Sequence, residues 1–467
     1  MRRMKGAAGL LTALLLAFQL SAQTFALANE DNGIKVVPVN FTHNGYSYEI
    51  EGVAKSTDGD YQMKSPARLA ARKLPSTYDP RSSGEITTVK DQASTGACWA
   101  FSALACEEQD LIKKGLETPS TEFSVPALVL SSNSGTATGK DDFSSGGNWL
   151  FAASALANGQ GLCYEDYEPF LESGTGNMIV SENKKSVSEY RLNYVMELSS
   201  TTQVKRKIME LGAVSASYFA GNGYMNHNNT AYYDPDASKN TIINHSVTVV
   251  GWDDNYSKDN FRYKPANNGA WLVKGSWGAD QDNDGFYWVS YDEAEFGQFC
   301  CYDFEESCDN TYHYSKMTGY VVNASNDGSV YGANVFTAKA DEKLDKAGFM
   351  YVGKTGSADY TLSVYTNVSD SDPIGVLETQ ISDSVSANGF YTVDFPEDIL
   401  LEEGEKYSIS VKFSGDSGRG YLLAESDRTS KAQSGQSYVS LNGKYWSDVG
   451  ADKTDSIGSL FIYAYTD

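Results

Sequence analysis

Cys98 stands in the run D-Q-A-S-T-G-A-C-W-A-F (91–101), six positions after Gln92, and the residues that follow it fall at helical spacing. A thiol is a useful nucleophile as its thiolate, and a helix N-terminus is one of the few places where a protein favours that charge. Breaking an acyl bond with it also requires a base, a group that orients the base, and donors for an oxyanion. The chain has four histidines. His43 lies in a polar N-terminal stretch, His313 at a seam in composition, and His227 in the polar run M-N-H-N-N. His245 opens N-H-S-V-T-V-V-G-W (244–252), at the mouth of a strand whose backbone would hold the ring rigidly. Cys98 and His245 are therefore the pair to which chemistry is assigned first.

The elements that must position this pair can be read from periodicity. Phe101, Leu104, Ala105, Leu111 and Ile112 mark one apolar face of a helix over 98–114. Lys113 and Lys114 suit its C-terminal dipole, and Gly115 suits the position just past its end. Cys106, on the same helix, reads as packing. Residues 247–252, 271–274 and 286–291 read as strands, so a helical front half precedes a sheet-rich back half. Five of the six cysteines and six of the seven tryptophans fall between Leu74 and Phe304, and the sixth cysteine, Cys308, follows just after. Beyond His313 there is no Cys or His and one tryptophan, Trp446. Short strands are expected there at 335–337, 349–352, 360–365, 391–395, 407–413 and 460–465, separated by Gly, Asp, Asn and Ser clusters. That pattern predicts an all-β sandwich.

Several ordered motifs resemble the papain family of cysteine peptidases over 74–305. They are L-P-S-T-Y-D-P-R (74–81), V-K-D-Q (89–92), A-C-W-A-F-S (97–102), S-G-G-N (145–148), N-H-S-V-T-V-V-G-W (244–252) and W-L-V-K-G-S-W-G (271–278). The interval from Cys98 to His245, 245 − 98 = 147 residues, also suits such enzymes. The resemblance implies an α+β domain with a helical lobe, a β-sheet lobe and a cleft between them. It makes Cys98 the nucleophile, His245 its base, and Gln92 an oxyanion donor beside the Cys98 N–H. Gly146 and Gly147 would line the cleft and pair with substrate backbone, where a side chain would block approach. Trp277 would shield the site from water. The segments 330–338, 364–367 and 404–413 resemble the lectin-like domain attached to some bacterial exported papain-like proteins, over about 312–467. That likeness describes a fold and does not demonstrate sugar binding.

The chain departs from the family twice. A disulfide usually joins a Cys three positions before the nucleophile to one just before the Gly pair, and here those positions hold Thr95 and Ser144. The third catalytic residue is usually the Asn of N-S-W-G, and this chain has Gly275 there. The orienting role would then fall to a water, a backbone carbonyl or another side chain, or be missing; because the Cys–His pair does the bond-breaking, weakened rather than abolished catalysis is expected.

Four segments are expected: a signal peptide (1–28), an extension or removable pro-segment (29–73), the papain-like domain (74–305) and the β-sandwich (306–467). Arg2, Arg3 and Lys5 precede an apolar run over 7–18, and Ala26-Leu27-Ala28 offers a cleavage site near Ala28. No second apolar stretch follows, so a secreted protein without a membrane span is expected. Loss of three basic residues would take the formal charge from -24 to -24 − 3 = -27, which repels nucleic acid and favours solubility. The run Asp280 to Gly285 starts like a calcium loop. Its twelfth position, where an EF-hand has Glu, is Tyr291, so neither metal nor cofactor is expected. The expected partners are a peptide or protein substrate and a carbohydrate or cell-surface ligand for the C-terminal domain. Three functions remain open: an exported endopeptidase acting through an acyl-enzyme, an inactive protein that binds with the cleft and the β-sandwich, and acyl transfer other than hydrolysis.

Overall fold

The computed structural model describes residues 73–132, 143, 146–167, 169–170, 189–236 except 222 and 229, 243–279, and 282–467 except 317–319, 325–327, 354, 370, 416–420, 427–431 and 452–456, with the backbone of three strands between 34 and 50. The leader expected at 1–28, most of the 29–73 extension, and Ser144 lie outside the described residues. No described helix is long and apolar enough to cross a membrane.

Among the described residues, four α-helices belong to the front part. Helix α1, Cys98–Lys114, ends as its sequence predicts, with Gly115 at φ 73° donating to Leu111 and Ile112. Its burial exceeds the expected apolar face, because every residue from Cys98 to Leu111 is buried, Glu107, Glu108, Gln109 and Asp110 included. Helix α2, Val125–Ser131, is capped by Ser124, whose hydroxyl accepts from the Ala127 N–H at 3.1 Å. Helix α3, Trp149–Ala157, is capped by Asn148, which accepts from Leu150 at 2.9 Å. Helix α4, Thr201–Leu211, begins with a reciprocal Ser200–Gln203 capping box.

The expected strands of the back half are present as His245–Asp253, Ala270–Lys274 and Phe286–Ser290. They lie in one twelve-stranded sheet. Its path runs from Asn310–Tyr312 through Ile462–Thr466, Glu342–Tyr351, Gly389–Leu401, Tyr190–Leu198, Gly297–Glu306 and Val214–Tyr218 to the His245 strand, then Ala270–Lys274, Phe286–Ser290 and Ala231–Tyr232. Thr77–Tyr78 pairs at the side of the His245 strand.

The C-terminal part is β-rich, as expected, and each of the six strand segments anticipated there lies in or across observed strands. It also adds a six-stranded sheet, from Val376–Val385 to Ser447–Asp448. The arrangement is less separate than a free-standing sandwich. Gly389–Leu401 pairs directly with Tyr190–Leu198 of the front part, Gly389 opposite Met196 and Tyr391 opposite Tyr194. A Cβ on Gly389 would sit 2.0 Å from the Val195 carbonyl oxygen, so only glycine allows that approach. One hydrophobic core runs from Trp99 and Phe151 through Val195 and Tyr302 to Phe349, Phe390 and Tyr463. A second, on α4 and the sheet, includes Ile208, Tyr218, Trp252, Trp271 and Tyr287.

Candidate active site

Helix α1 brings Cys98 against the His245 strand. Ser102, one turn along α1, donates to the Val247 carbonyl at 2.7 Å and bonds Ser215 at 2.8 Å, fixing helix to sheet. Cys98 is the first residue of α1 and is 4% exposed. Burial pushes its thiol above the usual value. Hydrogen bonds from the Ser246 and Trp99 backbone N–H groups and from the Ser246 side chain pull the other way without cancelling it. Desolvation thus outweighs these donors, and the place at the helix N-terminus does not by itself lower the thiol pKa.

His245 lies next to Ser246, and the register sets it opposite Tyr218. Burial lowers its pKa to about 3. Its Nε2 is buried without a hydrogen-bond partner. Trp277 lies flat on the imidazole, with ring centroids 4.4 Å apart and planes 8° apart, while Tyr218 meets it edge-on at 5.9 Å. Of the other histidines, His227 is exposed, His313 bonds the Ser315 carbonyl at 2.9 Å, and His43 lies on Val39–His43. None of these three makes a described contact with Cys98.

Gln92 is fixed against the segment that follows Ala270–Lys274. Its N–H donates to the Ser276 carbonyl at 2.8 Å, and its Oε1 accepts from the Ser276 hydroxyl at 2.6 Å. That bond turns Nε2 into the donor end, which bonds the Thr95 carbonyl at 2.8 Å. Thr95, in the position of the missing cysteine, donates its hydroxyl to the Gln92 carbonyl at 2.7 Å and so ties the same loop. None of the six cysteines forms a disulfide.

Gly147 lies against Trp99, where an added Cβ would come 2.5 Å from the indole, so packing beside Cys98 already requires glycine there. Gly146 adopts φ 71°, the left-handed region that glycine enters without strain. Trp277 is 38% exposed and forms a β-bridge with Asp91. Gly275 donates its N–H to the Gly285 carbonyl at 3.1 Å and has no side chain to offer His245.

Behind the pair, Lys274 is buried with Glu108 of α1 at 3.7 Å and donates to Thr87, which in turn donates to Glu108 at 2.7 Å. Burial lowers the Lys274 pKa against the pull of Glu108. A cavity of about 20 Å³ lies among Ser246, Thr248, Lys274, Gly275 and Ser276, room for one water. Among the described residues no cluster suited to a metal ion occurs. The calcium-like run falls partly outside them, and Asn283 there accepts from Arg81 at 3.3 Å.

Sequence reasoning missed Ser246, Ser276, Tyr218 and Tyr287. Ser276 sits inside the quoted G-S-W-G run, which was a usable signal. Tyr218 and Tyr287 read as ordinary strand aromatics.

Residues 74–328, more than half of the chain, match the papain family cysteine protease, and residues 311–466 match the lectin like domain. The chain belongs to the papain family of cysteine peptidases. Among its relatives, bovine (Bos taurus) cathepsin S is 29% identical over 46% of this chain and 60% of its own length. Procathepsin L of Felis catus is 29% identical over 47% of this chain and 61% of its own length. The peptidase thus spans about 60% of the length of those relatives. The solved structure of the cysteine protease and lectin-like domains of Cwp84, a surface layer associated protein of Clostridium difficile, is similar with TM-score 0.73 and 28% identity. That match covers 85% of this chain and 89% of the other. A second clostridial Cwp84 structure, solved after propeptide cleavage, gives 0.73 and 27% over 84% of this chain and 99% of its own.

Proposed function

We propose that this papain-family peptidase is an exported endopeptidase whose catalytic part spans 74–305, followed by a β-rich part over 306–467. Cys98 is the nucleophile and His245 the base. The Cys98 sulfur attacks a peptide carbonyl carbon as its proton passes to His245. Gln92 Nε2 and the Cys98 N–H hold the resulting oxyanion. The C–N bond breaks as His245 returns the proton to the leaving amine. Water, deprotonated by His245, then cleaves the thioester and restores the thiol. Gly146, Gly147 and Trp277 border the place of the substrate.

One observation carries this reading: Cys98 is held by the N–H and hydroxyl of Ser246, the neighbour of His245, although Cys98 and His245 are 147 residues apart in sequence. The locked Gln92 amide supports it. Export is supported by the basic-then-apolar start of the sequence, and by likeness to a protein described as surface layer associated. On this reading the lectin-like part holds the peptidase at a cell-surface ligand, its chemical class left to experiment.

The test is to treat the full protein with a thiol-directed epoxide and a fluorogenic peptide, beside Cys98→Ala. Labelling at Cys98 with turnover, both lost in Cys98→Ala, is expected. Well-folded wild-type protein that neither labels nor cleaves would sink the proposal and favour the non-catalytic binding reading.

A further inference from the structure

Position 275 raises a question the family pattern does not answer: why glycine is there. Backbone conformation is not the reason, because Gly275 is not among the glycines at positive φ. The reason is space. A Cβ at 275 would lie 3.1 Å from the Gly285 carbonyl oxygen and 3.3 Å from Cε1 of Tyr287. The first atom of any side chain is thus already crowded, and a longer one would have to pass the Tyr287 ring. The Gly275 N–H bond to Gly285 keeps the two segments from moving apart.

Tyr287 is 3% exposed and sits close enough to Cys98 for a thiolate charge there to raise its phenol pKa. Its hydroxyl bonds that of Tyr218 at 2.9 Å, and Tyr218 meets the His245 ring edge-on. Trp277, flat on His245, also lies nearly parallel to Tyr287, 6.2 Å away and 13° off. Trp277 and Tyr218 therefore bound the imidazole, and Tyr287 lies behind both of them. Tyr218 is itself wedged by Tyr232 at 5.0 Å and Phe296 at 5.6 Å. Rings packed this way have few alternative positions, so they can fix an imidazole plane without bonding its nitrogen.

We propose that Tyr287 is the positioning residue for His245 in this peptidase, its ring filling the space that an orienting side chain at 275 would occupy, with Tyr218 and Trp277 completing the enclosure. The pair Gly275 and Tyr287 is then one substitution in two places. His245 is oriented by shape while its Nε2 stays unbonded. The titratable groups at this site are Tyr218, which meets the His245 ring, Tyr287, which bonds Tyr218, and Cys98 of α1, which is held by Ser246; no charged side chain contributes to the His245 pKa.

The proposal rests on Cys98 and His245 being the catalytic pair, and its test can fail separately from that reading. Wild type, Gly275→Asn, Tyr287→Val and the double variant are compared as full chains with cooperative melting confirmed. Each single change is expected to lower kcat about tenfold with KM within about twofold, and the double variant to exceed both singles. A Gly275→Asn protein faster than wild type overturns the proposal, as does a Tyr287→Val protein with wild-type kcat. Tyr287→Phe keeps the ring and should hold kcat within about threefold. A loss there equal to that of Tyr287→Val overturns the ring-packing account.

The independent readout is nitrogen NMR of protein labelled at its four histidines. In wild type the His245 ring should stay neutral across neutral pH, and in Tyr287→Val its titration should move up toward the ordinary imidazole value. Unchanged His245 signals in that variant overturn the proposal whether or not peptide is cleaved. A shifted signal without turnover in any of the proteins, wild type included, leaves the positioning role standing and removes the peptidase reading.

Discussion

His245 is buried with no charged neighbour and titrates at about 3, while burial moves the Cys98 thiol upward. Both shifts have one cause, the removal of the group from water, and each opposes the charged form of its own group. Alkylation of Cys98 by iodoacetamide should accordingly rise with pH toward the elevated thiol pKa; a rate already at its plateau at acid pH would contradict this. Trp277→Ala should admit water to His245, raise its pKa, and speed alkylation near pH 6 while slowing peptide turnover. The stability sign also follows. His245 takes its proton in the unfolded chain near 6.5 and in the folded chain near 3, so its contribution falls as pH falls between those values. A melting temperature flat through that window in wild type but sloped in a His245→Gln protein would argue against it.

At the scale of elements, α1 carries Cys98 at one end and a buried ion network along its body. Glu108 accepts from Thr87 at 2.7 Å and the Phe123 N–H at 3.2 Å, and faces Lys274, the residue before Gly275. Removing one partner of a buried pair strands the other in low dielectric. Glu108→Ala should therefore cost about 3 kcal/mol of stability, read from urea unfolding, and loosen the turn that holds Ser276 against Gln92. A change within about 0.5 kcal/mol would show that the network is dispensable. The helix itself was legible in sequence, since its apolar spacing, terminal lysines and Gly115 all reappear. The burial of Glu108, Gln109 and Asp110 was not, because polar residues on a helix read as a solvent face until tertiary partners appear. The same limit applies to the site. Gln92, Cys98 and His245 stand out by type and spacing, whereas Tyr287 lies in F-Y-W-V-S, where any aromatic fits a strand. Its meaning depends on an atom that Gly275 lacks, and only three-dimensional contact reveals that.

At the scale of the whole molecule, the front and C-terminal parts share a sheet and a core. The Tyr190–Leu198 strand lies between Gly297–Glu306 on one side and Gly389–Leu401 on the other. At this junction Glu197 accepts from Asn388 of the C-terminal part at 3.0 Å and from Trp149 at 3.1 Å, two residues beyond Gly147. A chain ending at Glu306 would leave that strand edge unpaired and core residues such as Val195 uncovered. It should aggregate or bind a hydrophobic dye, checked by gel filtration and dye fluorescence; a monomeric truncation with full activity would refute this interdependence. The composition shift near 305 marks a change in what the residues do, but strand pairing ignores it, since a ladder needs only edges in register. The shared sheet also has a mechanical meaning. With the C-terminal part held and the cleft gripping a tethered polymer, tension would be shared by the chain after Glu306, the Glu197–Asn388 bonds and the three residue pairs that join 389–391 to 194–196. It would then cross the ladders one by one to the strand that bears His245. A pull on the C-terminal part would thus be a pull on the sheet that bears His245, where a hinged chain would merely swivel.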